Sequence, residues 1–304
     1  MDHVVDLLVA PLQFFLEPSK RLYWACLLSS LVCASIAVTW TTKKFDLADQ
    51  LKALLNKGYW LTKSTAVDVF YMFTNNAIRV LLLLPLVGSH LWFTLATGRF
   101  LQSNLGDAPE ITLPGWLIAS LYAIVFFVLE DCSRFFLHLS MHRVPILWRL
   151  HRVHHSAETL TPLTLFRVHP IEATIYFFRG TLVFGLVSGS FIWLFGRELT
   201  TFHILGVDLL GFLFNFMAAN LRHSHVWLSF GYFEKWFISP AQHQLHHSID
   251  HGQPNYGSYL SFWDRLNGSL HYAGAKRDLV FGIRERDIKP PEFHQLLVKR
   301  RQSA

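Results

Sequence analysis

Three short stretches of this 304-residue chain space histidines as metal chemistry requires: HLSMH (138–142), HRVHH (151–155) and HQLHH (243–247). The first is spaced i, i+4 and the other two i, i+3, i+4, so on helices each set projects from one face. Pro145 separates the first two boxes, which lets two helices aim their imidazoles at a shared centre. His223-Ser224-His225 adds further candidates. A lone histidine is usually a hydrogen-bonded core or surface residue, and His3, His90, His251 and His294 are read that way. The boxes are different. Eight gathered imidazoles repel one another when protonated, and lose hydration for nothing when neutral, unless something coordinates them.

Eight or more imidazoles exceed the four ligands of one structural zinc, which points to two metal ions. There is no HExxH, so a zincin-type protease is disfavoured. Imidazole suits iron, zinc and copper alike, and ligand type does not choose among them. A dinuclear iron centre held by neutral imidazoles would keep a high positive charge, which suits oxidation of an unactivated C–H bond. Asp131 lies about two helical turns before His138 and is a candidate acceptor for an imidazole N–H. No CxxCH haem, GxGxxG or flavin fingerprint is present. Electrons would therefore come from a separate donor docking on a basic face, and no nucleic-acid partner is implied.

These side chains must be positioned by membrane helices. The chain is 52% hydrophobic and only 16% charged, where a soluble domain carries about a quarter charged residues. A spanning helix needs roughly 20 apolar residues, and five stretches qualify: Leu22–Thr42, Ala77–Thr97, Leu113–Leu129, Thr174–Phe195 and Leu199–Leu221. The last pair, joined across Gly196-Arg197-Glu198, reads as a full or re-entrant hairpin. The expected architecture is all-α and integral to the membrane, with four to five spans and a cytosolic helical cap carrying a histidine-rich di-metal site. With the N-terminus outside, outer segments hold four basic residues (Lys20, Arg21, Arg99, Arg197) and inner segments twenty. That bias places the histidines on the cytosolic face, of a bacterial inner membrane or endoplasmic reticulum. The expected division is 1–112 as an N-terminal membrane region, 113–275 as the catalytic domain and 276–304 as a charged tail. Cys26, Cys33 and Cys132 have no metal or disulfide spacing and read as buried thiols. The first twenty residues lack a basic start and a cleavage site and read as an interfacial helix.

Taken in order, Asp131, HLSMH (138–142), LWRLHRVHHSAE (147–158), RVHPIE (167–172), RHSH (222–225), SPAQHQLHHS (239–248) and NYGSYLSFWDRLNGSL (255–270) resemble the fatty acid hydroxylase/sterol desaturase superfamily of membrane di-iron oxygenases. The resemblance implies oxygen-dependent hydroxylation or desaturation of a membrane lipid, such as an acyl chain or sterol. It further implies two iron ions (Fe2+/Fe3+), molecular oxygen as co-substrate and an external reductant. By position it assigns His138, His142, His151, His154, His155, His223, His243, His246 and His247 as metal ligands, with His169 and Glu172 lining or supporting the site. Leu139 replaces a usual arginine. His225 stands where asparagine is frequent, so its being a tenth ligand is left open.

The remaining polar residues have simpler readings. Trp263-Asp264-Arg265 would pin the C-terminal segment, Arg179 would snorkel to the interface, Asn267-Gly268-Ser269 reads as a turn, and His203 and Asp208 would hydrogen-bond within a span. Three rivals remain. A metal transporter would place ligands along its spans; a zinc-dependent lipid hydrolase would use Glu172 or Glu158 as base; a scaffold would need the boxes to be relics.

Overall fold

The computed structural model describes residues 7–18, 20–87, 90–196, 210, 213–217 and 219–284. Among them the chain is helical throughout, with only two isolated β-bridges. In chain order the main helices are α1 (Trp24–Thr42), α2 (Leu47–Leu54), α3 (Lys63–Ile78), α4 (His90–Leu105), α5 (Gly115–Arg143), α6 (Pro145–His155), α7 (Pro170–Phe195), α8 (Pro240–His247) and α9 (Phe262–Asn267). Four segments are long and apolar enough to cross a membrane: Trp24–Thr42, Lys63–Leu83, Gly115–Arg143 and Pro170–Phe195.

Three helices form a bundle beneath the histidines. α5 runs towards them and α7 runs away, so their ladder of contacts is antiparallel: Glu130 meets Arg179, and the Tyr122 hydroxyl lies 2.6 Å from Ser188 Oγ. Ile118, Tyr122, Val187 and Phe191 make the buried core at the far end. α4 lies parallel to α7 and very close to it. A Cβ built on Gly185 would fall 2.4 Å from Phe93 Cβ, and one on Gly189 would fall 2.6 Å from the Thr94 carbonyl. Only glycine permits that approach, which is the small-xxx-small packing of membrane helices.

Of the expected span Ala77–Thr97, the described residues 77–87 and 90–97 are helical, but not as a uniform α-helix. α3 ends at Ile78, a π-turn covers Arg79–Leu83, a single turn follows at Leu84–Val87, and α4 starts at His90. Pro85 accounts for the π-turn: it has no N–H to donate and its ring crowds the preceding turn, so the ladder widens just before it, with Leu84 N donating to the Arg79 carbonyl. Of the expected fifth span, most residues lie outside those described, as do His203 and Asp208; Ala219–His223 form a buried 3-10 turn.

Two further expectations change. Arg179 does not snorkel. Its Nη2 and Nη1 donate to both Glu130 oxygens at 2.7 and 2.8 Å, and Arg134 Nε donates to the same carboxylate at 2.9 Å. A lone guanidinium between helices would be costly, and the carboxylate offsets it. Arg21, counted above on the side opposite the histidines, is beside them. Its carbonyl accepts from Asn220 Nδ2 at 2.8 Å, and its side chain hydrogen-bonds Tyr259.

Candidate metal centre

The first box ends the long helix α5, and each HxxHH box sits on a short helix whose start is fixed locally. Pro145 occupies the first turn of α6, where a missing N–H costs nothing. α8 opens with a capping box: Ser239 Oγ accepts from Gln242 N, and Gln242 Oε1 accepts from Ser239 N. The two helices then divide their histidines in a crossed pattern. His138, His142, His151, His155 and His246 form one group, and His154, His223, His243 and His247 form a second; the ring nitrogens within each lie within 4.8 Å of one another. In α6 the first and last histidines serve the five-histidine group and the middle one serves the other. In α8 the assignment is reversed. A helix places i and i+4 on one line and i+3 about 60° away, so each HxxHH is built to serve two adjacent centres.

The atomic geometry fits a cation in each group. Nε2 of His138 lies 3.1 Å from that of His151 and 3.3 Å from that of His142. Nε2 of His223, His243 and His247 form a triangle with sides of 3.1, 3.2 and 3.2 Å. Around an ion with bonds of ~2.1 Å, donors separated by roughly 90–109° stand ~3.0–3.4 Å apart. In the first group the protonation is fixed from behind. Nδ1 of His138 faces the Tyr256 carbonyl at 2.7 Å, that of His142 faces Gln253 Oε1 at 3.0 Å, and that of His151 faces Glu172 Oε1 at 2.7 Å. Each oxygen only accepts when Glu172 is ionised, so each Nδ1 carries the hydrogen and three Nε2 lone pairs converge. Only a cation relieves that. His246 Nδ1 is likewise held by the Pro254 carbonyl at 2.8 Å, while its Nε2 and both nitrogens of His155 are buried without a partner.

Burial, first, and neighbouring imidazoles, second, keep these rings neutral. Burial holds His151 at about 3, and burial together with His151 holds His154 at about 3; His155, His223, His243, His246 and His247 are pushed well below the usual histidine range. Neutral imidazole is the ligating form.

The other expected site residues are placed differently. His225 belongs to neither group: its ring stands edge-on to Tyr59, with centroids 4.6 Å apart. Asp131 is fully buried but does not accept from an imidazole. Its oxygens accept from Tyr259 N, Leu260 N and Trp263 Nε1 at 2.9–3.0 Å, which ties α5 to the segment leading into α9. His169 caps α7, accepting from Ile171 N at 3.2 Å. Glu172, on the first turn of α7, touches a histidine directly and leaves Oε2 buried and unpaired. Asp264 supports the pinning role read from its motif, accepting from Tyr256 N and Gly257 N.

Sequence reading missed the supports supplied by Gln253, Pro254 and Tyr256, two of which act through backbone carbonyls. It also missed Asp68, whose carboxylate receives Arg167 Nε at 2.6 Å and Thr164 Oγ1 at 3.0 Å. Arg167 in turn offers its carbonyl to His154 Nδ1 at 3.2 Å. The one available signal was the Gly252-Gln253-Pro254-Asn255 turn, where Gln253 and Asn255 adopt φ of 55° and 61°.

Residues 123–269 match the family model described as fatty acid hydroxylase. Among characterised proteins, the chain is 27% identical over 182 residues to the ornithine lipid hydroxylase OlsE of Rhizobium tropici, covering 59% of this chain and 50% of that protein. It is 30% identical over 162 residues to methylsterol monooxygenase 1 of Danio rerio (51% and 48%) and 28% identical over 142 residues to methylsterol monooxygenase erg25B of Aspergillus fumigatus (47% and 45%). The chain thus spans about half the length of these relatives. No solved structure matches.

Proposed function

Residues 123–269 belong to the fatty acid hydroxylase family, and from that premise we propose that the protein is a membrane lipid oxygenase that hydroxylates or desaturates an acyl or sterol-like substrate. The observation that carries this reading is the pair of adjacent histidine groups, each with convergent Nε2 atoms. His138, His142, His151, His155 and His246 would hold one iron, and His154, His223, His243 and His247 the other. Bound there, the metal pair supplies the power to activate oxygen against an unactivated C–H bond.

The chain's own contribution is placement. Glu172 holds the His151 ring and the Nδ1 proton, and the 253–256 turn does the same for His138, His142 and His246. Asp131 and His169 act as positioning groups, the one fixing the 259–263 segment and the other starting the helix that carries Glu172. The apolar helices α4, α5 and α7 would present the substrate chain from the membrane. The catalytic unit is proposed as 113–275, preceded by a membrane region over 1–112 and followed by a charged tail over 276–304. The histidine end is assigned to the cytosol from the excess of Lys and Arg in the segments that carry the histidines. A separate reductant would deliver electrons there.

Anaerobic purification, metal quantification and lipid product analysis under isotopically labelled oxygen test the proposal together. About two irons per chain, with label in a lipid alcohol or oxygen-dependent formation of an alkene, is the expected outcome. Bound zinc with an oxygen-independent product would overturn it in favour of a hydrolase.

A further inference from the structure

Beside the four-histidine group lies a cavity of about 440 Å3 whose described lining has apolar side chains, with Phe214, Phe230, Phe233 and Phe237 prominent, except at Arg222. Arg222 immediately precedes His223 in the buried 3-10 turn Ala219–His223 and is 6% exposed. Among the described residues it forms no ion pair. Its only hydrogen bond there is a long one, Nη2 to the Ile238 carbonyl at 3.4 Å, and its Nε is buried without a partner. The face of the Tyr259 ring, 5.7 Å away, gives weak compensation.

The contrast with the other buried arginines is sharp. Arg167 has Asp68, and Arg179 has Glu130 in two-point contact. Asp131 is an acid whose charge acts on Arg222, and both its oxygens are already taken by three N–H groups. A second cation, Arg21, sits at the same Tyr259. A guanidinium is always charged and presents a planar fork of five N–H donors, matched to carboxylate and phosphate oxygens. A buried cation without a counter-ion among the described residues calls for one from outside. The rest of the wall would accept only hydrocarbon.

We propose that this cavity binds an anionic lipid, with the carboxylate or phosphate on Arg222 and the chain along Phe214, Phe230, Phe233 and Phe237, so that the substrate class is acidic amphiphiles. The inference rests on the lipid-oxygenase reading, and it adds a polar anchor one residue from a proposed metal ligand. Placing the head group there would set how far along the chain the reacting carbon lies.

The test is equilibrium binding to the metal-loaded, full-length protein in nonionic detergent, without turnover. The probes are oleate, oleyl alcohol and inorganic phosphate. Oleate should bind about tenfold more tightly than the alcohol of equal chain length, because charge-assisted hydrogen bonds are gained only by the acid. Arg222→Gln should erase the difference while bound metal stays unchanged, and Arg222→Lys should keep part of it. If Arg222→Gln does not fold, Phe230→Trp, which narrows the cavity and keeps the charge, should weaken both lipids about equally. Equal binding of oleate and alcohol to the parent protein overturns the proposal, as does a preference that survives Arg222→Gln. Displacement of oleate by phosphate, with no dependence on chain length, would also overturn it by leaving an oxyanion site without a lipid. Because no turnover is read, failure here leaves the oxygenase assignment standing, and an inactive enzyme that still prefers oleate leaves this site standing.

Discussion

The two histidine groups share the helices α6 and α8 but are supported in different ways. In the five-histidine group four rings have an oxygen behind Nδ1: Tyr256 O for His138, Gln253 for His142, Glu172 for His151 and Pro254 O for His246. In the four-histidine group, among the described residues, only His154 has such a support, the Arg167 carbonyl, and His243 Nδ1 is buried with no partner. Oxygen partners fix ring orientation and raise ligand basicity. The first group is therefore preorganised, and the second is free to adjust. The less supported group also adjoins the Arg222 cavity. A centre that must accept oxygen and a substrate carbon gains from adjustable ligands on one side and a fixed anchor on the other.

The largest effects come from removing one ligand on each side. His154→Ala and His246→Ala are expected to abolish turnover, with loss of about a thousandfold or more, and each should leave membrane insertion intact. If the comparison holds, His154→Ala empties its own group and leaves about one metal per chain. His246→Ala leaves four other histidines and retains part of the metal in its group. Metal content per chain for the two variants reads this directly, and turnover retained by either would refute the site assignment.

Next in size is the support of the weaker group. Asp68→Asn leaves Arg167 buried beside a neutral amide. Breaking a buried ion pair costs about 3–5 kcal/mol, and the Arg167 carbonyl that faces His154 should shift with it. Denaturation in detergent should show the loss of stability, and chelator titration should show faster release from one metal population only. Uniform release from both would mean that the groups are mechanically coupled.

Acid should act on both groups at a similar scale. His151 and His154 titrate near 6.5 in an unfolded chain and are held at about 3 in the native metal-free protein. Between those values the unfolded chain binds protons that the native chain does not, so stability falls as pH drops through 6.5 towards 3. Above 6.5 these two rings add nothing further. From pH 7.5 to 5.5 the pair alone accounts for roughly 3 kcal/mol. Thermal midpoints of the metal-free protein at the two pH values measure it, and a midpoint that rises in acid would contradict the neutral-imidazole assignment.

On the better supported side, Glu172→Gln exchanges a charged acceptor for a neutral one. Such a change typically costs 10–100-fold in metal affinity or activity. It should affect the five-histidine group, leave the other metal in place and spare the fold, since Gln keeps a carbonyl oxygen for His151 Nδ1.

What the sequence disclosed follows from what each residue's role depends on. Nine of the ten histidines named from spacing and resemblance fall into the two groups, because i, i+3, i+4 on a helix settles their direction whatever the surrounding fold. His225 does not, because it lies in the bend just past a 3-10 turn, off any helix, with its ring against Tyr59. The division of each box between two centres was not visible, since it depends on how α6 and α8 face each other. Membrane helices were legible by composition, and the π-turn at Arg79–Leu83 was not, although Pro85 just after it accounts for it. Asp131 was legible as important and misread in its target, since its partners lie more than a hundred residues downstream. Backbone carbonyls carry no sequence signature at all, which hid Pro254 and Tyr256.

The finest test of the comparison falls on one of those supports that has a side chain. Gln253 holds His142 through Oε1 while its own backbone sits at φ 55°, a left-handed conformation that a non-glycine residue adopts at some cost. Gln253→Ala removes the oxygen and keeps the strain; Gln253→Gly removes the oxygen and the strain together. If Gln253 serves only to orient His142, both variants should lower metal affinity about equally, by roughly tenfold, with the glycine variant slightly more stable. If instead the turn itself positions the Pro254 and Tyr256 carbonyls, the glycine variant should be the worse of the two, because a looser turn would release His138 and His246 as well. Competition against a graded set of chelators separates the two outcomes. The second would place the rigidity of the five-histidine group in the backbone of 253–256 and not in any single side chain.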